Sequence, residues 1–224
     1  MFEKALAISS SFLPSSSVIG GLVKNHALPK DHSLLACLNL LEAKQQFHAH
    51  FPEEEWMLPN DGSLIFTLNF EEYSGISEED KHHFSVTYAH NIEVEEGDNG
   101  SFVNFAPFVS RPSNERLDNG FDEDDYDQFI KSMEQEYFKG PHHQLLGFPI
   151  PIQGDDGEDE CVLMSKKAFN LVSFPEDWVL LCQIDSDDDK DMMFGDCGTL
   201  YFFIHKRDLK NKDFSRVWMT MQCY

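Results

Sequence analysis

The densest group of side chains that could do chemistry follows an apolar, strand-like run near the carboxyl end. Asp185 is followed by Asp187, Asp188 and Asp189, directly after residues 178–184. Carboxylates at the end of a strand can bind Ca²⁺ or Mg²⁺, which prefer oxygen ligands. The run has neither the glycine nor the final glutamate of an EF-hand loop. A solvated acidic loop is therefore the favoured interpretation, and no metal is predicted.

Histidine is the second residue type that invites a chemical interpretation. His142 adjoins His143, and His82 adjoins His83. Neighbouring residues on a strand point to opposite faces, which makes a joint ligand role for either pair awkward. For His143 a structural hydrogen-bonding role is predicted, with a functional role as the alternative.

Established catalytic motifs are missing from the sequence. It contains no G-x-S-x-G, Walker loop or G-x-G-x-x-G, and no cysteine has an obvious histidine and acid framework. The five cysteines form no C-x-x-C pair, which argues against a zinc ribbon and a disulfide framework. Buried reduced thiols are expected at Cys37, Cys182 and Cys223, which lie in apolar runs. The prediction is a protein without catalytic residues or cofactors.

Acidic residues dominate the charge of the chain. Forty Asp and Glu residues against 17 Lys and Arg residues give a formal net charge of -23. Such a field repels nucleic acid and anionic lipid and speeds encounters with basic partners, although acidity can also serve only solubility. No run approaches the roughly 20 apolar residues of a membrane helix, and the amino terminus lacks an export signal. A cytoplasmic location is expected.

Hydrophobic patterns divide the chain into short elements. They predict strands at 34–40, 63–70, 84–88 and 102–109, and helices at 42–56 and 126–138. Residues 1–17 are predicted to be a short helical lead-in that ends near Pro14. The Pro- and Gly-rich segment 142–155 is predicted to be irregular but packed, and 155–160 to be an exposed acidic loop.

The order of elements near the amino end is repeated near the carboxyl end. LLACLN resembles LLCQID, and each is followed by a loop that ends in Gly62 or Gly198. SLIFTL or TLYFFI comes next, and then Phe84-Ser85 or Phe214-Ser215 opens a third strand. Duplication of one three-stranded unit is the economical interpretation, and chance similarity of hydrophobic strands is the alternative.

We therefore predict an α+β fold in which duplicated three-stranded units form two pseudo-twofold-related halves, with a mostly antiparallel sheet and few helices. Residues 1–224 form a single domain in this interpretation. The repeat covers approximately 18–110 and 141–224, and an acidic helical insert covers approximately 111–140. Both halves must bury their strand faces, either in one sheet or as two packed subdomains.

Several segments closely resemble the signature segments of the bacterial YwqG-like family: HHQLLGFPIPIQGD, WVLLCQIDSDDD, GDCGTLYFFI and DFSRVWMTMQC. SVIGG is similar to that family's S-K-I-G-G, LLACLNL to its strand ending Q-I-N-L, and LPNDGSLIFTLN to its L-P-x-x-G-L-L-Q-F-F segment. Val18 stands where the family usually has Lys, and Cys37 where it usually has Gln. The resemblance implies a duplicated α+β domain, provides no catalytic residues, and suggests immunity against secreted bacterial toxins.

Charge, missing motifs and resemblance together predict a non-enzymatic binding protein. The specific hypothesis is a bacterial immunity protein that neutralises a cognate secreted toxin, a basic protein, by direct binding. The predicted contact residues are Asp122, Glu123, Asp124, Asp125, Asp155, Asp156 and Glu158. The alternative is a small-ligand-binding or hydrolytic protein with a pocket between the two halves. The predicted lining residues of that pocket are His143, Gln144, Gln153, Asp155 and Asp185.

Overall fold

A computed structural model describes residues 3–75, 77–113, 123–136 and 140–224, with residues 123–127 and 134 described by their backbone alone. The strands are β1 (Glu3–Ser11), β2 (Val18–Ile19), β3 (Leu22–Val23), β4 (Ser33–Asn39), β5 (Ser63–Leu68), β6 (Phe84–Ala89), β7 (Val94–Glu95), β8 (Ser101–Ser110), β9 (His143–Leu145), β10 (Trp178–Asp185), β11 (Thr199–His205) and β12 (Trp218–Gln222). The α-helices are α1 (Leu40–His48), α2 (Glu123–Glu136), α3 (Glu158–Phe169) and α4 (Lys206–Lys210). No helix within these ranges is both long and apolar enough to cross a bilayer.

One antiparallel sheet organises the part of the chain that the structure describes. Its strand order is β12-β11-β10-β9-β1-β8-β2-β4-β5-β6, and β3 and β7 form a separate small pair. β1 and β8 lie at the centre. We call β2, β4, β5 and β6 the first arm, and β9, β10, β11 and β12 the second arm. The mostly antiparallel sheet with few helices confirms that part of the predicted fold class.

The sheet curls into a nearly closed, barrel-like form. Its two edge strands, β6 and β12, do not pair through their backbones but meet through side chains. The rings of Phe84 and Trp218 lie 5.5 Å apart, and those of Tyr88 and Phe214 lie 5.7 Å apart. Aromatic contacts therefore close the gap that hydrogen bonds leave open.

The helical lead-in predicted for residues 1–17 is wrong, because β1 is a central strand. β1 pairs with β8 along its whole length and with β9 from Leu6 to Ile8. Leu6 and Ile8 join the main apolar cluster on one face, while Ala5 and Ala7 pack beside Phe108 on the other. Burial on both faces produces a continuous apolar run, which short periodicity cannot distinguish from a helix.

The two arms share several backbone details. β4 is bulged between Leu34 and Ala36, opposite β5, and β10 is bulged between Leu180 and Cys182, opposite β11. Val18 lies opposite Cys37 in the first arm, and Gln144 lies opposite Gln183 in the second. A bulge increases the local twist of a strand, so each arm bends at its bulge.

The turns that follow β2 and β9 also match. Gly20 and Gly21 have φ values of 63° and 72°, and Leu146 and Gly147 have values of 63° and 81°. The amide of Gly20 donates to the carbonyl of Leu35, and the amide of Leu146 donates to that of Leu181. Leu146 thus adopts a left-handed conformation that a residue with a Cβ rarely adopts.

One large apolar cluster joins the arms. It includes side chains from the first arm, the second arm, α1 and α3, and in it the rings of Phe66 and Phe202 lie 5.1 Å apart. The Asn39 side chain caps α1 by accepting a hydrogen bond from the Glu42 amide at 3.0 Å. α1 is shorter than the predicted 42–56 helix. Proline at position 52 disfavours helical geometry in the residue before it.

The acidic insert contains the predicted helix, which is α2 at residues 123–136 in place of 126–138. Met133 is buried against Ala5, Ala7 and Phe108, and Phe129 packs on the same cluster. Both side chains thus rest on the central strand β1 and its neighbour β8. Tyr137, near the end of the predicted helix, lies outside the described residues.

Candidate functional site

A cavity of about 700 Å³ opens over the last residues of β10 and the first residue of β11. We call it the acidic groove and define it by Gln183, Asp185, Asp188, Asp189, Met193 and Tyr224, which are among its lining residues. Ile150 and Ile152 add apolar surface, and Lys131 of α2 contributes a basic side chain. The groove therefore combines carboxylates with apolar walls, as a site for a cationic side chain with an aliphatic stem would.

Asp185 is held rigidly at the floor of the acidic groove. Its Oδ2 accepts a hydrogen bond from the His142 amide at 2.9 Å. Its Oδ1 accepts from the Ser186 amide at 3.0 Å and from the Thr199 hydroxyl at 2.6 Å. Since three donors fix this carboxylate, its position is set before any ligand arrives.

The loop after Asp185 is folded on itself. Asp187 and Met192 form an isolated β-bridge, with amide-to-carbonyl distances of 2.7 and 3.1 Å in the two directions. The Ser186 hydroxyl donates to the Gly198 carbonyl and accepts from the Phe194 amide. Asp188 and Asp189 lie on the exposed side of this loop, where they face the groove.

The burial of Asp187 shows that the prediction of a solvated acidic loop after Asp185 is wrong in part. The residue is 5% exposed, and its Oδ2 accepts from the Lys190 ammonium at 2.5 Å, with Lys190 8% exposed. Burial alone would raise the pKa of Asp187. The nearby His143 ring, together with the hydrogen bond and the charge of Lys190, outweighs that effect and lowers the pKa of Asp187 to about 2. A buried ion pair thus lies inside a run of exposed acids.

His143 has the structural role that the sequence predicted. Its Nδ1 accepts a hydrogen bond from the Asp185 amide at 3.0 Å, so in the neutral ring Nε2 carries the proton. Nε2 lies 3.6 Å from Oδ2 of Asp187. Nδ1, the acceptor of the neutral ring, is thus used by the backbone, whereas Nε2 has no hydrogen-bond partner among the described residues.

A second cavity, of about 560 Å³, lies on the other side of Asp187 and Asp189. We call it the inner cavity and define it by Ser9, Ser10, His143, Asp187 and Lys190. Ser9 and Ser10 belong to β1, and β9 begins only at His143, so the cavity occupies a gap beside the central strand. Sequence reasoning missed Lys190. The signal available was a single cation three residues after Asp187.

Gln144 and Gln153 do not line the acidic groove. The Gln144 side chain is buried and donates to the carbonyls of Leu146 and Phe148 at 3.1 and 2.7 Å. The exposed Gln153 side chain donates to the Cys223 carbonyl. Of the predicted pocket residues, the structure brings His143 and Asp185 together and places the two glutamines elsewhere.

Gln144 belongs to a set of three glutamines with a common task, which we call the glutamine ladder: Gln144, Gln183 and Gln222. Gln183 accepts from the Ile150 amide and donates to the His142 carbonyl. Gln222 accepts from the amides of residues 152 and 153 and donates to the Asp155 carbonyl. The peptide groups of residues 146–155 have few partners in a strand or helix, and the ladder's side chains form hydrogen bonds with them instead. The segment predicted at 142–155 is mostly packed, as expected, but it is not irregular throughout, because residues 143–145 form β9.

The prediction of an exposed acidic loop at 155–160 is wrong in part. Asp156 and Glu158 are buried, and α3 begins at Glu158. The reason is close packing of Gly157 (φ 88°) on the sheet, where an added Cβ would lie 3.2 Å from Phe203 and from Thr220. Asp155 is exposed, and its carboxylate accepts from the Gly157 amide. It lines a separate hollow of about 250 Å³.

The remaining predicted contact residues belong to the acidic insert. Asp122 lies outside the described residues, and Glu123, Asp124 and Asp125 form the first turn of α2, with only their backbone described. Ile130 and Lys131, further along the same helix, line the acidic groove.

Thiol and metal chemistry find little support in the described ranges. Burial raises the pKa of Cys37 to about 12 and also raises that of the Cys161 and Cys182 thiols. Cys223 is half-buried, in part against its predicted burial, and Cys197 is exposed in the groove. Among the described residues, no group of three or more His, Cys, Asp and Glu side chains could hold a metal ion.

Comparison with known proteins identifies the family. Residues 20–223 match a family model described as a domain of unknown function, DUF1963. A search of curated proteins gives no match. The matched range contains the second arm and the glutamine ladder, the first arm except β2, and the residues that define the acidic groove except Tyr224. Since it extends over most of the 224 residues, the chain belongs to the DUF1963 family.

Proposed function

We propose that the protein is a non-enzymatic binding protein and that the acidic groove is its binding site. The observation that carries the proposal is the rigid Asp185 carboxylate, held by three donors between two exposed carboxylates and apolar walls. A preorganised polar group in a concave, partly apolar site is the usual arrangement for recognition. Nδ1 of His143 already accepts a hydrogen bond from the Asp185 amide, so this nitrogen is not available as a general base.

The proposed occupant is a basic segment of a partner protein, most specifically of a cognate secreted antibacterial toxin. Under this proposal the chain is an immunity protein that neutralises the toxin by direct binding. The net charge of -23 would steer a basic partner and speed its association. Asp188 and Asp189 would contact Lys or Arg side chains, with Asp185 behind them.

Co-expression with the product of a neighbouring toxin gene tests this proposal. We expect rescue of growth, a complex that survives gel filtration, and an association rate that falls as salt is added. Replacing Asp188 and Asp189 by Asn should weaken binding about tenfold or more. The matched control is Glu71→Gln with Glu72→Gln, an adjacent exposed pair outside the groove. Equal losses in the two double variants would show charge attraction without a site in the groove.

A small-ligand-binding or hydrolytic role is the second candidate, and the inner cavity favours it. That cavity is lined by a charged pair, Asp187 and Lys190, whose side chains are almost fully buried. Buried ion pairs contribute little net stability, so their presence fits a binding role. Native mass spectrometry of the purified protein tests this candidate. A co-purifying small molecule supports it, and a mass equal to that of the chain alone argues against it.

We also propose that the two arms arose by duplication and are related by a pseudo-twofold axis. The matched bulges, the matched left-handed turns and the equivalent pairs Val18–Cys37 and Gln144–Gln183 support this. β8 borders the first arm and β1 borders the second, so β1 takes the part in the second unit that β8 takes in the first. Superposition of the arms that required any other register would contradict the proposal.

The narrower YwqG-like assignment and a cytoplasmic location belong to the same proposal. The four carboxyl-terminal segments form β9 to β12 and the turns between them, which is where the resemblance is densest. The free, mostly buried thiols agree with a reducing compartment. Fractionation of cells that produce the tagged protein tests the location, and recovery outside the cytoplasm would contradict it.

A further inference from the structure

Glu160, on the first turn of α3, lies at a contact that the proposed binding site does not use. One of its carboxylate oxygens is 3.5 Å from the indole nitrogen of Trp218 on β12. α3 packs against β12 and against the 3₁₀ turn Glu78–His82, which belongs to the loop between β5 and β6. The carboxyl group therefore sits where an element of the second arm meets a loop of the first.

The surroundings of Glu160 disfavour a negative charge. The side chain is mostly buried, and Asp80 and Asp155 add two further carboxylates to its environment. Within the described ranges Glu160 has no ion-pair partner. The neighbouring Lys81 ammonium donates instead to the Ala168 carbonyl, at the far end of α3, at 3.2 Å.

Tyr73, in the loop between β5 and β6, is a further titratable group near Glu160. Its hydroxyl donates to the Met219 carbonyl, and burial, with the Glu160 charge, raises its pKa, so the phenol stays neutral as Glu160 titrates. β12 carries no charged or titratable group, and Asp80 is fixed by donors from Ser74 and Ser77 of its own loop. The other charged or titratable groups on the elements packed against α3 and on α3 itself are Glu78, Glu79, His82, Glu176, Asp177, Cys182, Asp185, Glu158, Asp159, Cys161, Lys166 and Lys167.

We propose that the contact of α3 with β12 and with the turn Glu78–His82 is a pH-sensitive latch. It is closed while the Glu160 carboxyl is neutral and loosens when that carboxyl ionises. The latch is separate from the acidic groove, so it adds a conformational response to the proposed binding function without depending on it.

The pH range of the latch follows from the direction in which the pKa of Glu160 is shifted. Burial, aided by Asp155 and Asp80, raises the pKa of Glu160 to about 7, against a smaller lowering by the Trp218 hydrogen bond. In an opened α3 the carboxyl would titrate near its ordinary value of 4.5. Between these values the open form loses its proton before the closed form does. Opening thus becomes easier as pH rises through this range, and levels off above it.

Hydrogen exchange of the α3 amides, corrected for intrinsic rates, tests the latch. In the wild-type protein we expect protection to fall about fiftyfold between pH 5 and pH 7.5. The Trp218 indole N–H resonance should titrate with a midpoint near 7. Glu160→Gln keeps an acceptor for the indole and removes the charge. In that variant the resonance should not titrate and protection should stay constant.

Asp159→Asn is the matched control, because Asp159 is an exposed acid on the same turn of α3. It should retain the pH dependence of the wild type. Unchanged protection in the wild-type protein, or a fall that persists in Glu160→Gln, would overturn the proposal. If Glu160→Gln does not fold, the carbon-13 resonance of the wild-type Glu160 carboxyl decides: a midpoint near 4.5 would overturn the latch.

Discussion

At the scale of single residues, the buried pair of Asp187 and Lys190 has the sharpest energetic consequence. Both side chains are more than nine-tenths buried, and they lie inside a loop that also carries exposed acids. Removing one member of such a pair leaves the other charge without compensation. The loop conformation that presents Asp188 and Asp189 to the groove therefore depends on a side chain that faces away from solvent.

Asp187→Asn should destabilise the protein by about 3–5 kcal/mol, because it leaves the Lys190 ammonium buried and unpaired. Urea unfolding followed by circular dichroism measures the loss. Asp188→Asn makes the same chemical change at the next residue, where the side chain is exposed. We expect that control to stay within about 0.5 kcal/mol of wild type. Similar losses in the two variants would contradict the assigned role of Asp187.

Thiol reactivity offers a second test at this scale. Cys37, Cys161 and Cys182 are buried with raised pKa values, whereas Cys197 is exposed and Cys223 is half-buried. The thiolate is the reactive form of cysteine. In the native protein Cys197 should therefore react fast and Cys223 more slowly, and the three buried thiols should react only on unfolding. Absorbance with a disulfide reagent measures these phases. Cys197→Ser should remove the fast phase, and its persistence would contradict the assignment.

At the scale of elements, the glutamine ladder explains how an irregular segment can cover a sheet. The backbone of residues 146–155 has few regular partners, and buried peptide groups without partners are costly. Amide side chains from β9, β10 and β12 supply both donors and acceptors to it. The ladder thereby holds Ile150 and Ile152 in the wall of the acidic groove.

Gln222→Ala should destabilise the protein by about 2–3 kcal/mol, because two amides and one carbonyl of the segment lose their partner. The segment should also become a site of limited proteolysis. Gln153→Ala is the control, since its exposed side chain makes one hydrogen bond, to Cys223. If proteolysis were no faster in Gln222→Ala than in the control, the ladder would not be what holds the segment.

Sequence patterns were sufficient for the strands that are apolar along their whole length. β4, β5, β10 and β11 were predicted because each is a continuous run of apolar residues between clear breaks. β1 was missed because Ala and Leu favour helix in isolation and only tertiary pairing makes the segment extended. Within the candidate site, Asp185 and His143 were predicted from their residue types, a carboxylate and an imidazole. The burial of Asp187 and Lys190 depends on a loop fold that no local pattern encodes.

At the scale of the whole molecule, the two arms share one core. The Phe66 ring comes from β5 and the Phe202 ring from β11, and they touch in the middle of the largest apolar cluster. Arms that bury their faces against each other cannot unfold independently. The chain should therefore behave as one cooperative unit.

Phe202→Ala should cost about 3–5 kcal/mol, as is usual for a large-to-small change in a core. Loss of the cluster should lower the unfolding midpoint of both arms together. Fluorescence of Trp56, near the first arm, and of Trp218, in the second, can follow each arm in variants that retain one tryptophan. Phe12→Ala is the control, because that ring is fully exposed. Separate transitions for the two tryptophans would contradict a shared core.

The aromatic closure between β6 and β12 has a consequence for self-association. Edge strands with free backbone groups are templates on which other copies can add strands, the first step towards aggregation. Here Phe84 and Tyr88 on one edge meet Trp218 and Phe214 at the other. A substitution at Trp218 would therefore cost core packing and also remove one of the two aromatic contacts that cover the strand edges.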